Sequence, residues 1–264
     1  MKGRVLICAG SDSGGGAGIQ ADIKAVTAMG GFAMTAITAL TAQNTVGVHG
    51  VVGVEPWFIR RQMRVVLDDL GADAIKTGML ADSATIEAVC AELPRDVPLV
   101  ADPVMVAKGG HRLLDPSATE TLKRVLLPFC TVLTPNLPEA EVLSGMTIRT
   151  EDDMHRAAEV MLTLGVPAVL LKGGHLDGER LVDLLATPDG TTRWEDARVA
   201  TRHTHGTGCT LASSIAAGLA QGMALEAAVA RARRYVRAAM LSAPGYGAGH
   251  GPLDHTVTLD PARL

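Results

Sequence analysis

Aromatic residues are scarce in this chain. Two tryptophans, two tyrosines and three phenylalanines make up 3% of its 264 residues, too few rings for the stacking surfaces that grip single-stranded nucleic acid. An excess of positive charge is also missing. Against 24 lysines and arginines stand 28 aspartates and glutamates, a net charge of −4, so nothing draws the chain electrostatically to nucleic acid or to an anionic membrane. Cys8, Cys90, Cys130 and Cys209 are scattered and form no CxxC pair, and reduced thiols in a cytoplasmic protein are the expectation. No apolar run approaches transmembrane length, and the start, MKGRVLICAGSD, lacks a signal-peptide core and cleavage site.

What is present is a chain rich in small apolar residues, 47% hydrophobic and 20% charged. That composition predicts a globular protein with a large buried core, and no repeat, low-complexity tract or linker divides residues 1–264, so one domain is expected. Short β-branched runs alternate with longer helical stretches, the pattern of an α/β fold with a mainly parallel sheet. Strands are predicted at 4–9, 34–41, 72–76, 97–101, 130–134 and 167–172. Helices are predicted at 17–29, 56–70, 82–93, 116–127, 138–144 and 151–164, and about 208–221 and 224–241. Residues 181–200 read as a hairpin turning at Pro188-Asp189-Gly190. The glycine-rich piece 105–112, MVAKGGHR, is long for a strand-to-helix turn and reads as a mobile lid.

Parallel sheets place ligands at the carboxyl ends of their strands. Those positions hold Gly10-Ser11-Asp12, Gln43-Asn44, Lys76-Thr77-Gly78-Met79, Asp102-Pro103, Pro135-Asn136 and Lys172-Gly173-Gly174. Six polar strand ends converging make a polar pocket rather than a set of unrelated turns. The strongest motif is HGTGCTL, 205–211, at the start of a helix. Gly206 and Gly208 free backbone N–H groups to face an anion, aided by Thr207 and the helix dipole. Cys209 in that first turn is expected to have a lowered pKa and an available thiolate.

Asn136 and Glu139 are one helical turn apart and have two readings. They form a capping box, or they join Asp102 around a water-coordinated Mg²⁺ and phosphate. Lys172, ending an apolar strand, suits a transferring phosphoryl group. Two possible zinc sets, His203 and His205 with Cys209, and His250 with His255, lack a zinc spacing. They read as structural or substrate-lining.

The stretch GSDSGGGAGIQAD, 10–22, looks like a nucleotide loop but fails both nucleotide tests. No lysine follows Gly16 to make a Walker A motif, and no acid lies between Asp22 and Glu55 to bind a ribose. The second strand ends instead in Gln43. Its amide could pair with the acceptor and donor of an aminopyrimidine edge, or it could be tied to local backbone.

Together AGSDSGGGAGIQADIK, ITALTAQNTVGV, KTGML, DPVMVAKGG, LTPNLPEAEVL, LKGGH and THGTGCTLASSIAAGLA resemble the hydroxymethylpyrimidine/phosphomethylpyrimidine kinases, thiamine-biosynthesis members of the ribokinase-like superfamily. The likeness runs from about residue 4 to 255, including GHGPLDH at 249–255. It implies a ribokinase-like three-layer α/β/α sandwich, use of ATP and Mg²⁺, and a homodimer. The reaction it implies is phosphorylation of 4-amino-5-hydroxymethyl-2-methylpyrimidine and then of its monophosphate. By this resemblance Cys209 is the base, the amides of Gly206, Thr207, Gly208 and Cys209 steady the γ-phosphoryl group, and Lys172 contacts it. Asp102, Asn136 and Glu139 surround the magnesium and the ATP phosphates, with Asp102 and Glu139 nearest the metal. Gly10, Asp22, Gln43, Met79 and Val106 line the substrate pocket. Three rivals stand beside this reading: a pyridoxal kinase of the same fold, a non-catalytic ligand sensor, and a nicotinamide oxidoreductase that lacks its second-strand acid.

Overall fold

Alternation along the first strand sets the architecture. In the computed structural model, which describes residues 2–107, 110–174, 176 and 178–259, β1 spans Arg4–Asp12. Leu6 and Cys8 point into one apolar cluster, while Val5, Ile7 and Ala9 point into another. All five are fully buried, so the strand is covered on both faces, as strands of parallel sheets are.

Around β1 the other strands assemble in the order β3-β2-β1-β4-β5-β6-β7-β8-β9. They are β2 (Phe32–Gln43), β3 (Val48–Gly53), β4 (Ala74–Thr77), β5 (Leu99–Ala101), β6 (Val132–Leu133), β7 (Val169–Lys172), β8 (Arg180–Thr187) and β9 (Gly190–Ala197). Pairing is parallel from β2 through β1, β4, β5 and β6 to β7, and antiparallel at the β2–β3, β7–β8 and β8–β9 contacts. The 181–200 hairpin and its turn are as the sequence predicts. β3 is not among the predicted strands: all but its first residue are exposed, so it carries no alternation of apolar and polar positions.

Helices cover both faces. On one side lie α1 (Gly18–Ala28), α7 (Thr207–Ala220) and α8 (Leu225–Leu241), packed through Ile19, Val26, Ile215 and Val229. On the other lie α2 (Pro56–Asp69), α3 (Ser83–Cys90), α5 (Leu137–Ser144) and α6 (Glu151–Leu162). The expected helix at 116–127 is a chain of short turns instead, running through Pro116–Ala118, α4 (Thr119–Thr121), a π-helical Leu122–Leu126 and Leu127–Phe129. Pro128 lacks the N–H that a regular helix would need there. The result is a three-layer α/β/α sandwich, and no described helix is long and apolar enough to cross a membrane.

The C-terminal segment folds back over α7 and α8. His255 Nε2 lies 3.0 Å from Thr210 Oγ1, and the Tyr235 hydroxyl donates to the His255 carbonyl at 3.0 Å. Burial pushes the His255 imidazole down to about 4, assisted by Lys24 and opposed by Asp254. Between the ordinary value of 6.5 and about 4 the unfolded chain therefore binds the extra proton, so stability is fully present above that window and lost as the pH falls through it. By pH 4 the loss from this group is on the order of 3 kcal/mol. Denaturant midpoints measured against pH will show this slope, and His255→Gln will flatten it. Identical slopes in the two proteins would remove the assignment.

Candidate active site

The glycine loop after β1 is folded around its own aspartate. Asp12 Oδ1 accepts from Gly14 N at 2.8 Å, and Oδ2 accepts from Gly16 N at 3.1 Å and Ala17 N at 2.8 Å. His205 Nε2, from the segment before α7, reaches the same Oδ2 at 2.8 Å. Burial works against the Asp12 carboxylate, yet these donors outweigh it and hold its pKa below the usual range. The amides that resemble a phosphate cradle are thus already occupied by a side-chain anion. Sequence reasoning placed Asp12 among the polar strand ends without a partner, although an aspartate two residues before a glycine cluster is a familiar side-chain-to-backbone turn.

Two glycines let this loop meet the rest of the site. Gly18, at φ +55°, lies so close to the Gly10 carbonyl that a side chain there would collide with it. Gly206, at φ +81°, likewise leaves no room for a side chain beside the Gly16 carbonyl. The start of α7 is therefore seated directly on the loop after β1.

Gly206 caps α7 without a side-chain hydrogen bond, and the first-turn amides beyond it have no carbonyl of their own helix behind them. Thr207 Oγ1 is held by the Thr204 carbonyl at 3.2 Å. A Cβ placed on Gly208 would sit 3.3 Å from Lys172 Nζ and 3.6 Å from Asp102 Oδ2. The helix start, the lysine and the carboxylate therefore share one spot. Lys172 Nζ donates to Asp102 Oδ1 at 3.1 Å. Burial disfavours the Lys172 ammonium, but Asp102 and Glu139 outweigh it and raise its pKa.

Asn136 and Glu139 form the capping box of α5: Glu139 N donates to Asn136 Oδ1 at 3.0 Å, and Asn136 N donates to Glu139 Oε2 at 2.8 Å. Their second reading keeps its footing. Burial pushes the Glu139 carboxyl up to about 7, Lys172 opposes that shift and Asp102 adds to it, so the acid lies within electrostatic reach of both. Lys172 is braced from behind, since Gly173 N donates to Asp183 Oδ1 at 3.0 Å while Arg233 Nε holds Asp183 Oδ2 at 2.8 Å. Neither Asp183 nor Arg233 stands at a parallel-strand end, so the sequence pattern did not mark them.

A second group lies beside the first. The Cβ position of Gly10 is 3.1 Å from Met79 Sδ, so these two expected pocket residues do meet. A cleft of about 360 Å³ opens at Met79, bordered by Val51, Ala81, Arg112 and Leu114. Gln43 Nε2 stands 3.3 Å from His205 Nε2, and Gln43 Oε1 accepts from Thr41 Oγ1 at 3.2 Å. Its amide is tied to side chains, a third arrangement beside the two expected. Val106 is 47% exposed and pairs across the 105–112 segment with Arg112. Of that segment, read as a lid, Lys108 and Gly109 lie outside the described residues, as does His175 of LKGGH.

Two expectations need correction. Asp22 does not border an open pocket: it is 0% exposed, and its oxygens accept from Lys76 Nζ at 2.9 and 2.8 Å and from Ser213 Oγ at 2.6 Å. The Cys209 thiol is not lowered by its place in the first turn. Burial dominates and pushes it up to about 12, with Lys76 and the Gly18 N–H pulling it down and Asp22 and Asp102 pushing it up.

A mainly parallel α/β/α sandwich whose strand ends meet a helix start without a side-chain cap, a lysine and two carboxylates defines a small-molecule kinase of the ribokinase-like fold. The chain belongs to the phosphomethylpyrimidine kinase family, whose model matches residues 12–254. It is 48% identical to the hydroxymethylpyrimidine/phosphomethylpyrimidine kinase of Streptomyces coelicolor, over 95% of this chain and 93% of that one. It is 49% identical to the thiamine biosynthesis bifunctional protein ThiED of Geobacter sulfurreducens, matching 99% of this chain but spanning only 54% of that longer protein. Among solved structures, the pyridoxal kinase from Staphylococcus aureus in complex with ADP superposes with a TM-score of 0.90 at 34% identity, covering 97% of this chain and 94% of that one.

Proposed function

We propose that this chain moves the γ-phosphoryl group of ATP first to the hydroxyl of 4-amino-5-hydroxymethyl-2-methylpyrimidine and then to the resulting monophosphate, within residues 1–264. The observation that carries the reading is the meeting of the Gly206–Cys209 helix start with Lys172 and Asp102. Such an arrangement neutralises charge on a phosphoryl group in flight, which is most of what phosphoryl transfer asks of a protein. The amides of Gly206, Thr207, Gly208 and Cys209 face the transferring group, Lys172 supplies a cation to it, and Asn136 orders the start of α5 beside the nucleotide. Gly10, Met79, Gln43 and Val106 border the heterocycle, while Asp22 supports the site from below.

Mg²⁺ fits the donor set. Asp102 and Glu139 offer hard carboxylate oxygens, and Asp102 Oδ2 faces the start of α7 while Oδ1 holds Lys172. Mg²⁺ takes few protein carboxylates and keeps waters and nucleotide oxygens around it. Asp102 and Glu139 would hold it, and when bound it neutralises charge on the phosphates. Cys209 takes the hydroxyl proton, late in a loose transfer, after its own proton has gone to solvent.

The apolar edge formed by Leu40, Val51, Val52, Trp57 and Phe58, all exposed, supports a homodimer built across β3. Four free thiols accord with the cytoplasm as the place of action.

Pyridoxal is the rival acceptor, favoured by the 34% identity to a pyridoxal kinase across nearly the whole chain. Offering the hydroxymethylpyrimidine, its monophosphate and pyridoxal side by side decides between them. The two pyrimidines are expected to show kcat/KM values at least about tenfold above pyridoxal, a difference of roughly 1.4 kcal/mol in transition-state binding. Pyridoxal dominating would overturn the proposal.

A further inference from the structure

The amide of Gln43, set above at the border of the heterocycle, has neighbours that dictate its direction. His205 Nε2 lies 2.8 Å from Asp12 Oδ2. Backbone N–H groups of Gly14, Gly16 and Ala17 also donate to that carboxylate. They help to keep it an anion, which can only accept. His205 Nε2 therefore carries the proton of its contact with Asp12. The same nitrogen stands 3.3 Å from the Gln43 amide nitrogen, so two donors face each other. On the other side of the amide, Thr41 Oγ1 has one proton and two oxygens within reach. The nearer is the Ser11 carbonyl at 2.9 Å, and Gln43 Oε1 lies at 3.2 Å. With the proton given to Ser11, two acceptors face each other there. A half turn of the amide about its last bond removes both mismatches at once. Nothing else moves, because oxygen and nitrogen exchange nearly the same places.

We propose that His205, oriented by Asp12, and Thr41 are positioning residues that hold the Gln43 amide in this turned state, Oε1 toward His205 and Nε2 toward Thr41, and so set which pyrimidine edge the enzyme accepts. One lone pair on the oxygen and one N–H on the nitrogen are left over, side by side. Gln43 and His205 line one recess together with Ala107, the neighbour of Val106, and His250, so a ligand has access to them. An aminopyrimidine presents an amino N–H and an adjacent ring nitrogen, which match the oxygen and the N–H of the amide. Its 4-oxo analogue presents a carbonyl and a ring N–H, the same pattern reversed. A freely turning glutamine would pair with either, whereas a fixed one leaves the analogue with donor against donor and acceptor against acceptor. The Asp12 loop thus serves specificity as well as the seating of α7. The inference rests on the proposed place of Gln43 beside the heterocycle, but the first arm of its test reads the amide rather than turnover.

In the first arm, nuclear Overhauser contacts are recorded from the side-chain N–H protons of isotope-labelled glutamine in the full chain, with the Gln43 signals assigned by their loss in Gln43→Leu. These contacts are expected to be stronger to the Thr41 methyl than to the ring protons of His205. Equal or reversed intensities would overturn the proposal. In the second arm, kcat/KM for the aminopyrimidine is divided by that for its 4-oxo analogue. The native ratio is expected to exceed about 100, since a site built to hydrogen-bond one pattern rejects its reverse. His205→Phe and Thr41→Val each remove one of the two constraints, and each is expected to lower the ratio about tenfold. A merely structural role would slow both substrates alike and leave the ratio native. That result, or a native ratio near one, would overturn the proposal. Should His205→Phe fail to fold, as judged by circular dichroism, Thr41→Val decides alone, because valine keeps the shape of threonine and removes only the hydroxyl. If neither pyrimidine is phosphorylated but the amide contacts favour Thr41, the kinase reading fails and the Gln43 orientation stands.

Discussion

Cys209→Ala is expected to lower kcat for the hydroxymethylpyrimidine about 10²- to 10⁴-fold, the usual contribution of a positioned base, while phosphorylation of the monophosphate stays within about tenfold of the native rate. The two acceptors differ in one respect that matters to Cys209. The alcohol must lose a proton as it becomes a phosphate ester. The monophosphate has a second pKa of about 6 and meets the γ-phosphoryl group as an anion near neutral pH. Its attacking oxygen has no proton to remove. Lys172, Asp102 and the amides of the α7 start serve both steps alike, because charge spreads over the same phosphoryl oxygens in each. Nucleotide affinity is expected to remain native, since Cys209 contributes a backbone amide that alanine keeps. Single-turnover rates with each acceptor make the comparison. Equal losses in both steps would take the base role from Cys209 and leave it a part of the phosphate-binding turn.

That result would also show why the sequence misleads on this residue. A cysteine in the first turn of a helix reads as an acidic thiol, because the helix dipole favours its anion. Here burial outweighs the dipole, and the thiol is pushed up to about 12. Burial depends on what packs around a residue, which motif spacing does not reveal. The architecture was far more legible. Apolar runs such as VLICA and AVLLK are covered on both faces, so their composition alone announces a parallel sheet. The PDG turn likewise marks the β8–β9 hairpin. β3 was lost because VHGVVG is an exposed edge strand. In the site, residues whose chemistry faces the convergence point could be placed, Asp102 and Lys172 from strand ends and the Gly206–Cys209 turn from its glycines at a helix start. What strand ends do not reveal is which polar residues are spent on other protein groups. Asp12 fills its own loop, Asp183 holds Gly173, and Asp22 holds Lys76. A lysine inside the run ADAIKTG was the available clue, since a lysine within a strand covered on both faces requires a buried acid.

Gly206→Ala is expected to lower kcat/KM at least about 100-fold, the cost of a displacement of roughly 1 Å in a positioned site. The matched substitution Gly222→Ala should leave activity native. The two glycines have nearly the same backbone, φ +81° at Gly206 and φ +79° at Gly222, so alanine costs each about 1–2 kcal/mol in the left-handed region. In a chain of this size each such kcal/mol lowers Tm by about 2–4 °C. Their surroundings differ. Nothing lies within 4 Å of a Cβ on Gly222, which sits just past the far end of α7. A Cβ on Gly206 runs into the Gly16 carbonyl and lies 3.2 Å from Ala17 Cα. Neither is the tip of a side chain that can swing away, and Gly16 and Ala17 are themselves pinned by Asp12. Relief must come from lifting the start of α7 off the loop, which carries Gly208 away from Lys172 and Cys209 away from the Gly18 N–H. The glycines of residues 10–18 thus act as a rigid seat for the helix start that faces the phosphate. Comparing kcat/KM and Tm for the two variants separates this from backbone strain. Equal losses of activity would show that left-handed geometry alone is at issue, and an active Gly206→Ala enzyme would show that the seat is not needed.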